Sequence, residues 1–110
     1  MSIGISDSLA FQMNAWFDAL GRRFADAAEA RGTTIAPPEI DPSVADEVLE
    51  LARVSAHTKE RRFAPLASFM AGIAVERLRQ KGPLHPADEA AYLRSIRETL
   101  ETEPPASPPP

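Results

Sequence analysis

The chain has 110 residues, of which 44% are hydrophobic and 25% charged, with a net charge of -4 and a pI near 5.1. This balance excludes wholesale disorder, and without an excess of positive charge it excludes general affinity for nucleic acid or an anionic membrane. Cysteine is absent, which removes disulfides, thiolate metal sites and cysteine nucleophiles.

The expected architecture is all-α, a bundle of about four helices over residues 1–101, followed by a disordered proline-rich tail over 102–110. Leu9, Met13, Trp16, Phe17, Leu20, Phe24 and Ala27 recur at spacings of three and four and form one stripe of a first helix. Ser6 or Asp7 is placed to cap its start, and Gly32 to end it. The aromatic residues of this stripe are expected in the core rather than around a ligand. The run GTTIAPPEI, residues 32–40, contains a Pro-Pro pair and reads as an extended connection.

Asp41 and Pro42 give the next helix a capping carboxylate and a residue suited to the first helical position. Val44, Val48, Leu51, Ala52 and Ser55 share its inner face, with Asp46, Glu47, Glu50 and Arg53 expected in water. A third helix begins in a first turn marked by Pro65 and reaches about Gln80. Leu66, Phe69, Met70, Ile73 and Ala74 line one side, while Ala67, Ala71, Gly72 and Val75 make the reverse apolar too. That pattern predicts a central helix packed on several sides, with Gly72 giving room for a neighbour. After Gly82-Pro83, a fourth helix from Pro86 or Ala87 to about Glu101 would bury Tyr92, Leu93, Ile96 and Leu100.

The first eleven residues lack a positive segment and a long apolar run, so no secretory signal is expected and a cytoplasmic location is. The stretch from Ala64 to Val75 is too short to cross a bilayer at about 1.5 Å per residue. The tail holds a formal match to proline-helix ligands between Pro105 and Pro108, of a kind that any proline-rich terminus produces.

The strongest candidate site is the segment His57-Thr58-Lys59-Glu60-Arg61-Arg62, which sets three cations just before a helix start. Amides and dipole at such an end favour anions. Arg61 and Arg62 could hold a phosphate in charge-assisted bonds, with Lys59 as a point charge and Thr58 as a hydroxyl donor. The same residues beside Phe63 could instead meet an acidic groove on a partner protein, or be only a solvated loop. His57 and His85 are the sole histidines and have no ligand partners at metal-binding spacing, so neither a metal nor a cofactor is expected. His57 reads as a cap near the end of the second helix and His85 as a turn residue. No constellation for acid-base or nucleophilic chemistry stands out, which points to a protein that is not an enzyme.

The stretch AHTKERRFAPLASFMAGIA, with NAWFDAL and IDPSVADEVLELAR before it, resembles an uncharacterised small helical domain. That domain is found at the C-terminus of some bacterial molybdenum cofactor guanylyltransferases and as a stand-alone protein. The matching positions include Trp16, Asp41, Leu51, His57, Arg61, Pro65, Phe69 and Gly72. Phe63 departs from the pattern, standing where a proline or small residue is expected. The nucleotidyltransferase domain with its glycine-rich loop is absent, so guanylyl transfer does not carry over. The resemblance implies an accessory or adaptor domain in molybdenum cofactor maturation or delivery, partnered by a guanylyltransferase or molybdoenzyme. The alternative is a structural module that forms a homodimer and takes no ligand.

Overall fold

In the computed structural model the backbone is described for residues 5–103 and the side chains for residues 15–103. Of the tail expected over 102–110, residues 104–110 lie outside the described residues, as do the side chains of Leu9 and Met13. Four helices follow one another, α1 (Ile5–Ala30), α2 (Pro42–Thr58), α3 (Phe63–Arg79) and α4 (Pro86–Glu101). No strand occurs among the described residues, so the chain is all-α as its periodicity predicts. No described helix is long and apolar enough to cross a membrane. Two compact units divide the chain at Ile40 and Asp41.

In the first unit, α1 ends as the sequence predicts. Gly32 adopts φ 87°, the left-handed conformation that glycine reaches without steric penalty. Its N–H donates to Glu29 O at 2.9 Å and that of Thr33 to Ala28 O at 3.1 Å, which satisfies two orphan carbonyls of the last turn. The Pro-Pro connection then lies against α1 at Gly21, the buried position of this helix among those described. A β-carbon on Gly21 would stand 2.6 Å from the Pro38 carbonyl oxygen, a backbone atom that cannot swing aside. The expected aromatic core does not form in this unit: Trp16 is 62% and Phe24 54% exposed. One helix and a short extended strap present too little surface to enclose them. Trp16 instead packs edge-to-face with Phe17, ring centres 4.8 Å apart.

In the second unit α2 is the middle element, packed against both α3 and α4. The side chain of Asp41 caps it, accepting from the Ser43 N–H at 2.9 Å and from the Ser43 hydroxyl, with Pro42 in the first turn. The hydroxyl bond is the main cause that holds the Asp41 carboxyl below its ordinary range, assisted by the Ser43 and Val44 amides. Val44, Ala45, Leu51, Val54 and Ser55 are buried along α2.

The prediction that α3 is central is overturned. Ala71 and Val75 are its buried residues, whereas Leu66, Phe69 and Met70 are 61%, 71% and 69% exposed. The helix lays its small side chains on α2, where they allow close approach, and turns its bulky ones outward. Gly72 sits on the outer side, where an added β-carbon would meet nothing within 4 Å, so among the described residues of this unit it makes room for no neighbour.

Helix α4 starts on a cap supplied by His85, whose Nδ1 accepts from the Ala87 N–H at 3.1 Å; this histidine, read as a turn residue, is an N-cap. Among the described residues Leu93 is the most enclosed large side chain at 1% exposure, while Ile96, expected on the buried edge, is 39% exposed.

Two carboxylates join these helices. Glu47, expected in water, is buried and accepts from Arg94 Nε at 3.1 Å and Arg97 Nε at 3.3 Å. Glu89 is 3% exposed and accepts from Arg79 Nε at 2.8 Å and from a terminal guanidinium nitrogen at 2.9 Å. This fork raises the Arg79 pKa above its ordinary value, chiefly through the hydrogen bonds to Glu89.

Three substitutions, one in each of α1, α3 and α4, test this account. Gly21→Ala gains about 1 kcal/mol of helix propensity but forces the strap away at a cost of about 1–3 kcal/mol. The expected outcome is faster amide exchange through the middle of α1. Arg79→Met leaves a buried carboxylate unpaired and is expected to cost about 3 kcal/mol. Glu89→Met leaves a guanidinium that water still reaches, and is expected to cost about 1–2 kcal/mol. Urea denaturation of the two variants measures this order.

Candidate functional site

The basic segment joins α2 to α3. Two turn hydrogen bonds close it, from the Phe63 N–H to Glu60 O at 3.0 Å and from the Ala64 N–H to Arg61 O at 3.2 Å. Arg62 is the N-cap residue of α3 and makes no side-chain capping bond. Since Pro65 has no N–H, the first turn of α3 offers few donors to an anion. Any phosphate held here would depend on side chains rather than on a backbone cradle.

The five candidate residues do not converge on one point. Thr58 is buried in the last turn of α2 and the other four, His57, Lys59, Arg61 and Arg62, are exposed. Lys59 Nζ lies 3.8 Å from Glu103 and Arg62 Nε 2.9 Å from Glu60, both in open water-facing pairs. Arg61 forms no ion pair among the described residues. Exposed pairs of this kind contribute about 0–1 kcal/mol, so an incoming carboxylate or phosphate can displace them at little cost.

Beside this cationic rim lies an apolar hollow of about 400 Å³, bordered by Lys59 and Phe63 and lined by Leu66, Met70 and Leu100. A second hollow of about 280 Å³ runs between α3 and α4 above Leu51, with Met70 and Leu100 on its walls too. The two share one apolar surface. Sequence periodicity assigned Leu66 and Met70 to the core and so missed their place here. The legible signal was that α3 is apolar on more sides than its neighbours can cover. No cluster of three or more potential metal-binding side chains occurs among the described residues.

The described residues thus form an all-α domain whose distinctive surfaces are apolar and cationic. The chain belongs to the family described as Domain of unknown function (DUF6457), whose model matches residues 10–107. No curated protein and no solved structure matches the chain. Membership bears out the expectation of an uncharacterised helical domain. The family's description carries no function.

The outward setting of Arg61 and Arg62 has a consequence for stability. Arg61→Ala/Arg62→Ala is expected to change unfolding free energy by less than about 0.5 kcal/mol, because neither guanidinium supports the core. Chemical denaturation of the double variant beside the wild type measures it.

Proposed function

We propose that this protein is a non-enzymatic accessory domain that acts by binding a partner protein in molybdenum cofactor maturation or delivery. The observation that carries the reading is the weakly paired cationic rim of Lys59, Arg61 and Arg62 at the edge of an open apolar hollow. Cations at a rim steer an acidic surface into register, and an apolar centre supplies the burial that holds it. The acidic surface belongs to a molybdenum cofactor guanylyltransferase or a molybdoenzyme. This part of the reading comes from the resemblance over Ala56 to Ala74.

A protein partner is favoured over the phosphate of a pterin nucleotide. The turn bonds of Phe63 and Ala64 and the missing N–H of Pro65 leave the backbone little to offer a phosphate. Calorimetry of the full chain with the cognate guanylyltransferase, and separately with a molybdopterin nucleotide, tests both arms. Binding to the enzyme that weakens with salt and falls at least about tenfold in Arg61→Ala/Arg62→Ala is the expected result. A wild-type chain that binds neither overturns the proposal.

A further inference from the structure

Helices α3 and α4 both pack on α2 and are tied to each other at one end by the fork of Arg79 on Glu89. Toward the other end a trough lies open between them, floored by Leu51 and walled by Met70, Tyr92, Ile96 and Leu100. At Met70 and Leu100 it continues into the hollow beside Phe63. Met70 and Ile96 on its walls are 69% and 39% exposed, so apolar surface stands in water along α4 from Leu100 back to Tyr92. That length is about 12 Å at 1.5 Å per residue. An aromatic ring bounds it at each end, Phe63 at the mouth and Tyr92 at the inner end.

The chain itself leaves α4 at this mouth. The helix ends in turn bonds from the Thr102 N–H to Thr99 O at 3.3 Å and from the Glu103 N–H to Leu100 O at 3.1 Å. The Glu103 carboxylate then stands 3.8 Å from Lys59 Nζ on the rim. Next in sequence comes Pro104-Pro105-Ala106-Ser107-Pro108-Pro109-Pro110, which has no charged side chain and only two backbone N–H groups, those of Ala106 and Ser107. Such a segment can cover apolar surface and leave almost no donor unpaired. As a polyproline helix it spans about 20 Å at 3.1 Å per residue, enough to turn at the mouth and still run the length of the trough. The family match extends past α4 to residue 107, which takes the first part of this segment into the domain.

We infer that residues 104–110 fold back into the trough between α3 and α4 as a polyproline strap, with prolyl rings laid on Phe63, Met70 and Tyr92. Apolar troughs edged by aromatic rings take this conformation because its backbone is already extended and loses little entropy on docking. Attachment at Glu103 adds an effective concentration on the order of millimolar, so a contact too weak to hold a separate peptide is still occupied here. Composition alone reads the segment as disordered, and the trough at its root is what gives it a place to order. The strap does not depend on the adaptor reading; where both hold, it competes with the partner for Met70 and the hollow.

Nuclear magnetic resonance of the full chain, with no partner present, reads the strap at Tyr92 and Ile96, which line the trough and not the hollow at the cationic rim. The comparison is a chain of equal length in which the prolines at 104, 105 and 108–110 are replaced by serine, its helix content checked by circular dichroism. The expected result is cross-relaxation between prolyl protons and the Tyr92 ring in the wild type, unchanged over about tenfold dilution, as an intramolecular contact requires. In the serine variant those cross-peaks are lost and the Tyr92 and Ile96 signals shift. Absent cross-peaks with matching Tyr92 and Ile96 signals in the two chains overturn the inference, as do contacts that vanish on dilution and so come from a second copy. Titration with the guanylyltransferase separates the two readings. A docked strap on a chain that binds no partner removes the adaptor reading alone, and partner binding by a chain without strap contacts removes this inference alone. With both in force the serine variant binds the enzyme at least about threefold tighter, because no strap has first to leave; equal affinity of the two chains overturns the competition.

Discussion

Glu89 is buried at the start of α4, and what allows it is the guanidinium of Arg79, which reaches it from the end of α3 with two N–H groups at 2.8 and 2.9 Å. Each charge also suits its own helix, an anion in the first turn of one and a cation in the last turn of the other. The pair therefore fixes the approach of α3 and α4 at the end where Gly82 and Pro83 connect them. Glu47 does the same from α2, with Arg94 and Arg97 closing on it from α4. A guanidinium fork matches a carboxylate in only a narrow set of geometries, so these contacts specify how the helices sit as well as holding them.

The helix ends were legible because the chemistry that sets them is local. Asp41-Pro42 and Gly32 each act within a few residues of chain, and the structure uses them as their sequence context predicts. The inward face of α3 was not legible. Periodicity reports which side chains are apolar, but α3 is apolar nearly all round, and the choice between its bulky and small sides depends on what α2 presents. Small residues won because they let two backbones come close, leaving Leu66, Phe69 and Met70 outside. Glu47 and Glu89 were hidden for the complementary reason: a carboxylate reads as solvated until an arginine distant in sequence is known to face it.

The candidate site was legible in composition and not in geometry. Three cations before a helix start suggest an anion cradle, yet Glu60 and Arg61 carbonyls accept the local amides and Pro65 supplies none. What the segment does present is side-chain charge at the margin of an oily hollow. The Leu66 and Met70 side chains that line that hollow were hidden by the same assumption that made α3 a core helix.

The enclosure of Leu93 at 1% exposure, deepest among the large described side chains, bears on how the fold responds to temperature. The fewer large side chains an interior encloses, the less apolar surface unfolding exposes and the smaller the heat-capacity change that accompanies it. Ion pairs, whose dehydration penalty falls on warming, then carry a growing share of cohesion as temperature rises.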